Sequence, residues 1–430
     1  MEKFAKYEIV KELGHGATST VYHAIDPFDQ KHVALKVFNL DVLHDASRAK
    51  AYRKLLLTEA SLAGKLSHPH IVKIYDAVME GEVNYMVMEY IEGETLERYA
   101  EVDHLMPLGR IAEIVYKCCK ALEYAQTQGV THRDIKPANI LISGDSDIKI
   151  SDFGSAVIDS QQTTQVTGVG SPAYMSPEQI KEQPLTHQTD IYSLGVTMYR
   201  LLTGKLPFDA ANSYSMIYQI MNIDPHPPST YRPDIPPELD AIVLRAMCKD
   251  LEHRYQTWDE FARDLVSFIS SGVPQHEQIF DTEKFDALRG LAFFKKFSDV
   301  ELWEVLRISE WRKLPKDEKI LREGEEGLDI YIIASGSVRV VKQGRLLSLL
   351  HQGDCFGEMA HLAGADARRS TDVISKTEVT LIEIKPDVLA RATPNCRYQF
   401  SEAFLVILVK RLSMANTRIS RLLTDHGDEQ

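Results

Sequence analysis

Residues 132–154 read HRDIKPANILISGDSDIKISDFG. Apolar residues near Ile140 and near Lys149 alternate at strand period, so a short β pair is expected there, with polar residues concentrated on both sides of it. Asp134, Lys136 and Asn139 precede the pair, and Asp152, Phe153 and Gly154 follow it. Singly, each residue has a plain explanation, because Asp and Asn favour turns and a phenylalanine fills a core. Those explanations do not account for the whole ordered set.

Working outward, the segments YEIVKEL, STVYHAI, HVALKVF and VNYMVMEY between Tyr7 and Tyr90 predict a small antiparallel sheet. One helical stretch, around Leu55 to Leu66, interrupts it. Gly14 and Gly16 stand between two predicted strands in LGHGATSTV, where a loop with little side-chain bulk brings backbone N–H groups close to phosphates. Lys36, in VALKV, offers an ammonium, and Glu59 on the following helix offers an ion-pair partner. Were they isolated, both would simply be solvated surface charges. From about Leu96 to Ser270 helical periodicity dominates, and the proline-rich DPHPPSTYRPDIPPE predicts an extended connection.

With these motifs in this order, the stretch from about Tyr7 to Ser270 resembles the eukaryotic-type serine/threonine protein kinases, particularly bacterial ones. The resemblance implies a two-lobed fold. It also implies transfer of the γ-phosphoryl group of Mg-ATP to protein hydroxyls, with Asp134 orienting the acceptor hydroxyl and Lys136 steadying the phosphate. Asn139 and Asp152 are expected to hold Mg2+, while Lys36 and Glu59 form the phosphate-anchoring pair. Val21 and Ala34 would roof an adenine cleft edged by Met88, Glu89 and Tyr90, beneath the Gly14 and Gly16 loop. Ser19 stands where the family's third glycine falls. Glu178 is expected to pair with Arg254, and Asp190 to brace the catalytic loop, both in structural roles. Lys136 and Ser171 resemble the serine/threonine-directed arrangement. Arg133 is positioned to pair with a phosphorylated activation segment in which Thr163, Thr164 and Thr167 are the candidate phosphosites.

Around residues 270–290 the chain turns polar and is broken by Gly and Pro, which suits a linker. Beyond it, LDIYIIAS, GSVRVVKQ, RLLSLLHQ and EVTLIEIK alternate between Gly turns, predicting a small β-roll, and a helix from about Tyr398 to Leu423 follows. This half resembles the cyclic-nucleotide-binding fold, most informatively at FGEMA (356–360) and RSTDV (369–373). The resemblance implies that Glu358 accepts a ribose hydroxyl and that Arg369 pairs with a cyclic phosphate. Gly357, Met359, Ala360 and Ser370 complete the expected site. Thr371, His361 and the neighbouring Arg368 depart from the family pattern, and neither cAMP nor cGMP is selected by these residues.

The expected class is therefore α+β: a two-lobed protein kinase fold followed by a β-roll cyclic-nucleotide-binding-type domain with a C-terminal helix. The expected boundaries are 1–271 for the kinase domain (lobes 1–89 and 90–271), 272–290 for a linker, 291–424 for the second domain and 425–430 for a tail. Composition agrees with globular domains: 430 residues, 44% hydrophobic and 26% charged. A formal net charge of -13 opposes a broad basic surface, so nucleic acid is not an expected partner. Cys118, Cys119, Cys248, Cys355 and Cys396 lack metal spacing and read as reduced thiols. The longest apolar run, Phe404 to Val409, is far shorter than the ~20 residues a bilayer requires, so membrane insertion is not expected and a cytoplasmic setting is. Protein substrates are the expected partners, a homodimer is the candidate assembly, and the second domain is expected to regulate the kinase through a cyclic nucleotide. The alternative is a second domain that no longer binds nucleotide and serves docking or oligomerisation. A turnover-free scaffold is opposed by the intact charged set, and a transcription regulator by the lack of room for a DNA-reading unit after Leu423.

Overall fold

A computed structural model describes residues 3–16, 19–38, 61–62, 64–80, 83–143, 147–153, 157–158, 172–210, 212–272, 281–363 and 368–425. The chain divides into two compact units, 1–277 and 278–430.

The first unit opens with β1 (Lys3–Phe4), β2 (Tyr7–His15), β3 (Ser19–Asp26), β4 (Lys31–Phe38), β5 (Ile74–Glu80) and β6 (Val83–Glu89). They form one antiparallel sheet in the order β1-β2-β3-β4-β6-β5. Register fixes what each face carries. Val21 pairs with Lys36 and His23 with Ala34 across β3/β4, and Ala34 pairs with Met88 across β4/β6. Because directly opposed residues point to the same face, Val21, His23, Ala34, Lys36 and Met88 share one. The other face packs Tyr7, Ala24, Val33, Leu35, Tyr85 and Val87 into a core of its own. The helix expected around Leu55 to Leu66 lies mostly outside the described residues.

The remainder of this unit is largely helical: β7 (Glu94–Thr95), α1 (Leu108–Thr127), β8 (Val130–Thr131), β9 (Ile140–Ser143), β10 (Asp147–Ile150), β11 (Val157–Ile158), α2 (Pro177–Ile180), α3 (His187–Thr203), α4 (Ser213–Asn222), α5 (Pro237–Ala246) and α6 (Trp258–Gly272). α1 and α3 bury most of their residues, including polar ones such as Glu113, Lys117 and Asp190, and pack against each other. Thr186 caps the start of α3, and its end turns at Gly204, whose φ of +71° and whose closeness to Val102, where a Cβ would lie 2.7 Å from the nitrogen, exclude a side chain. The expected β pair is β9/β10, in register Ile140 to Ile150 and Ile142 to Ile148. Val72 N–H donates to Ile150 O (2.9 Å) and Ile150 N–H to His70 O (2.9 Å), tying the chain ahead of β5 to this pair.

The second unit comprises α7 (Asp281–Gly290), α8 (Asp299–Ile308), β12 (Ser309–Leu314), β13 (Lys319–Leu321), β14 (Ile330–Ser335), β15 (Ser337–Lys342), β16 (Arg345–His351), β17 (Cys355–Phe356), α9 (Glu358–Ala363), β18 (Asp372–Ser375), β19 (Val379–Ile384), α10 (Pro386–Leu389) and α11 (Pro394–Asp425). Two four-stranded antiparallel sheets, β12-β19-β14-β17 and β13-β18-β15-β16, enclose a core of Tyr331, Ile333, Val338, Val373, Val379 and Leu381. The expected linker over 272–290 is corrected in its second half. Asp281–Gly290 is a helix, because Phe285 stacks on Trp303 of α8 with ring centroids 4.6 Å apart. The C-terminal helix also begins earlier than expected, at Pro394, where Phe400 and Phe404 join Phe293, Phe294 and Phe297 in one aromatic cluster.

Candidate active site

The loop between β8 and β9 is shaped by a carboxylate from another element. Asp190, in the first turn of α3, accepts the His132 N–H at Oδ2 and the Arg133 N–H at Oδ1, both at 2.7 Å. These bonds hold Arg133 at φ +69°, a left-handed conformation that is strained for a bulky side chain. Asp190 is 2% exposed; burial pushes its carboxyl above the usual range against the pull of His132, Arg133 and the two N–H groups. The His132 ring lies 2.9 Å from Ser151 O and 4.5 Å from the Phe153 ring, so the 132–139 loop and the strand end bearing Asp152 are coupled.

On that frame the predicted charged residues converge. Lys136 Nζ donates to Asp134 Oδ2 (2.8 Å), and Asn139 Nδ2 donates to Asp134 Oδ2 (3.1 Å) and to Asp134 O (2.8 Å). Lys36, 116 residues earlier than Asp152, reaches its Oδ1 at 2.5 Å. The Lys36 charge holds the Asp152 carboxyl below the usual range despite its desolvation. Asp152 itself sits at φ +62°. Glu59, Gly154, Thr163, Thr164, Thr167 and Ser171 lie outside the described residues.

Val21, Ala34 and Met88 belong to one apolar cluster that also takes in Ile91 and Leu141. The cluster thereby brings together side chains of β3, β4, β6 and β9. Ile91 and Leu141 were not foreseen; Leu141 is the second residue of β9, just past the turn that ends at Asn139. The Glu89 side chain has partners of its own. Its carboxylate pairs with Lys149 at 2.9 Å and accepts the Lys73 N–H at 3.3 Å, which leaves it a brace between β6 and β10. The Tyr90 ring stacks on His23. Around Gly14 and Gly16 a side chain would meet nothing nearer than Ser19 O at 3.5 Å, and the Gly16 N–H donates to that oxygen (2.8 Å), closing the hairpin. Neither glycine is demanded by the hairpin itself.

Asn139 and Asp152 supply an amide and a carboxylate, the hard oxygen donors that Mg2+ takes when one or two protein ligands share it with phosphates. Among the described residues no group of three or more His, Cys, Asp or Glu gathers as a metal cluster. The residues fit that ion and not a protein cage.

The expected Glu178–Arg254 pair is present and buried. Arg254 is 0% exposed and donates to both Glu178 oxygens (2.8 and 3.2 Å), Gln188 O (2.8 Å) and Cys248 O (2.8 Å). Burial acts against ionised Glu178, but the Arg254 hydrogen bond and charge prevail and its carboxyl lies below the usual range. Beside Glu178, Gln179 donates to Arg133 O (3.0 Å), so this pair also steadies the 132–139 loop.

In the second unit, Gly357, Glu358, Met359, Ala360, Arg369 and Ser370 all line one pocket of about 200 Å³. Gly357 has φ +85°, and a side chain there would lie 2.6 Å from Asp329 O and 2.9 Å from an Arg369 nitrogen. Arg369, 6% exposed, donates to Gly357 O (3.2 Å). Glu358, 1% exposed in its side chain, is paired with Arg411 of α11, which also donates to Cys355 O. Arg411 was not foreseen, since no local pattern ties it to a residue 53 positions earlier.

The class these features define is that of the protein kinases: residues 7–266 match the family model described as protein kinase domain, and the chain belongs to that family. Residues 311–393 match the model described as cyclic nucleotide-binding domain. The chain is similar to the serine/threonine-protein kinase PknB of Mycobacterium leprae (39% identical over 281 residues, 64% of this chain and 44% of that protein). It is also similar to a probable serine/threonine-protein kinase of Clostridium acetobutylicum (36% over 275 residues, 64% and 41%). A third relative is PknB of Mycobacterium tuberculosis strain H37Rv (36% over 296 residues, 67% and 47%). The matches span less than half the length of these relatives. Among the described residues no helix is long and apolar enough to cross a membrane.

Proposed function

We propose that the chain is a serine/threonine protein kinase that transfers the γ-phosphoryl group of ATP to hydroxyls of protein substrates, with a second domain that regulates it through cAMP or cGMP. The observation that carries the first half is the convergence of Lys36 on Asp152 (2.5 Å) and of Lys136 and Asn139 on Asp134 (2.8 and 3.1 Å) around a coupled loop. Phosphoryl transfer depends on alignment and on neutralising phosphate charge. Asp134 accepts and orients the acceptor hydroxyl, Lys136 stands beside it to meet the transferring group, and Lys36 with Glu59 anchors the phosphates. Asn139 and Asp152 would hold Mg2+, which supplies charge neutralisation when bound. Val21, Ala34, Met88 and the Glu89–Tyr90 backbone receive adenine under the Gly14 and Gly16 loop. Phosphorylation at Thr163, Thr164 or Thr167 would give Arg133 an anionic partner.

For the second domain, Arg369 is the cation for a cyclic phosphate, and Gly357, Ala360 and Ser370 are the close neighbours. Glu358 retains acceptor capacity for a ribose hydroxyl while Arg411 holds one of its oxygens. A second use, oligomerisation, is supported by Leu405, Val406, Val409 and Leu412, each 57–67% exposed on α11. A cytoplasmic setting accompanies both.

The test is phosphotransfer from Mg-ATP to a generic basic protein by the full chain, with and without each cyclic nucleotide, beside Asp134→Asn. Neutralising the base should lower turnover about 10²- to 10⁴-fold. Equal labelling by both proteins would overturn the kinase assignment. Binding of either nucleotide with no change in rate would end the regulatory half.

A further inference from the structure

His23 is an unexpected residue on the cleft-facing side of the sheet. It is 8% exposed, two positions after Val21 and directly across from Ala34. Its imidazole lies flat on the Tyr90 ring, with centroids 3.9 Å apart and planes within 4°. Its Nε2 is 2.7 Å from His32 Nδ1, and its Nδ1 is buried with no hydrogen-bond partner among the described residues. An apolar side chain would fill this place without burying an unpaired nitrogen. The contact therefore has to be sought in what it holds.

What it holds is the chain just beyond β6. The strand ends at Glu89, whose side chain is tied downward to Lys149, so Tyr90 is the first residue past the β4/β6 ladder. We propose that His23, oriented by His32, is a positioning residue for nucleotide binding: its stack fixes the Tyr90 ring, and so the backbone segment that receives the adenine edge. The proposal rests on the assignment of Met88 to Tyr90 as the edge of the adenine cleft.

The hydrogen bond between two imidazoles requires a lone pair on one of the facing nitrogens, so a doubly protonated pair cannot make it. Burial and then His32 push the His23 pKa below its ordinary value of 6.5; Lys11 acts in the same direction and Glu92 in the opposite one. The clamp is accordingly complete above about pH 6.5 and loosens as pH falls below it.

The experiment uses the full chain and two readouts: calorimetric titration with MgADP, which needs no turnover, and kcat and KM for ATP. Aromatic stacking of this kind predicts that His23→Ala weakens MgADP and raises KM for ATP about three- to tenfold, with kcat within about twofold. His23→Phe keeps the stack and should restore affinity at about pH 7.5, while losing the weakening expected of the unaltered chain as pH falls through the lowered His23 value. Unchanged affinity in His23→Ala, a fall in kcat at constant KM, or no rescue by His23→Phe would each overturn the clamp. If His23→Ala does not fold, the pH profiles of His23→Phe and His32→Ala decide, since both must lose the acid weakening. An unaltered chain that binds no MgADP removes the cleft assignment itself, whereas one that binds it beside an indifferent His23→Ala removes only the clamp.

Discussion

Replacing Arg254 with methionine separates a buried ion pair from mere packing. Arg254 is fully buried and satisfies the two Glu178 oxygens as well as the Gln188 and Cys248 carbonyls. Methionine fills much of the volume but leaves the carboxylate of Glu178, 4% exposed in its side chain, without its cation, and takes the guanidinium donor from the Gln188 and Cys248 carbonyls. Breaking a buried pair in this way costs about 3–5 kcal/mol. Glu178→Gln, which retains one acceptor, should cost about 1–3 kcal/mol. The double variant should cost less than the two single changes added, because the partners share one interaction. Two compact units make a single global transition a poor readout, so the measurement is amide hydrogen exchange in α3 of the full chain. The acid limb gives a second, sharper test. With its folded pKa depressed, Glu178 contributes stability that is present above about pH 4.5 and is lost as pH falls through the lower folded value. Without Arg254, burial, the largest influence, is opposed only by the backbone, Ser176 and Thr189 hydrogen bonds, so the folded pKa rises and local stability should increase as pH falls. A cost under about 1 kcal/mol in Arg254→Met, with an acid slope of unchanged sign, would refute the reasoning.

Asp190→Asn keeps the shape but turns one acceptor into a donor facing the His132 or Arg133 N–H. It should lower kcat about 10²-fold or more with a smaller effect on KM for ATP, measured by steady-state phosphotransfer; an equal loss in both would point to general unfolding. Arg411→Ala frees Glu358 from its partner on α11. If cAMP or cGMP must share Glu358 with Arg411, calorimetry should show a changed affinity in this variant, whereas Glu358→Gln should weaken binding about tenfold or more. No heat from either nucleotide in any variant would favour the oligomerisation reading, which light scattering of a Leu405→Glu and Leu412→Glu variant checks by loss of the larger species.

Where a function depends on local order, it was legible from the chain. The short β9/β10 pair and the glycines ahead of β3 depend on a few adjacent residues whose spacing matches strand period, whereas the roles of Asp190 and of Glu178 with Arg254, 76 residues apart, were expected from the family resemblance alone. What neither local pattern nor resemblance supplied depends on distant juxtaposition. Arg411 meets Glu358 only because a long helix returns past the pocket, and His23 meets Tyr90 only because β3/β4 register and the end of β6 bring them onto one face. The helix at Asp281–Gly290 was hidden for a different reason. Its polar surface reads as linker, and only three buried positions, Thr282, Phe285 and Leu288, reveal that one side is covered.

The Glu358–Arg411 pair sets an energetic condition on the proposed regulation. A ligand can shift α11 only by as much as it binds one helix position more tightly than another. Were a ribose hydroxyl to displace Arg411 outright, the loss of a partly buried pair would oppose binding by several kcal/mol, and the helix would be released with it. Were the hydroxyl to use the second Glu358 oxygen, Arg411 would stay, and the ligand would gain from an already oriented acceptor while holding α11 in place. Arg369 favours the second course. It lies against Gly357 and lines the same pocket, bonded to the Gly357 carbonyl and not to Glu358, so an anion beside it adds charge compensation without asking Arg411 to move. On this geometry occupancy strengthens the attachment of α11, and amide exchange around residues 405–412 should slow when a cyclic nucleotide binds.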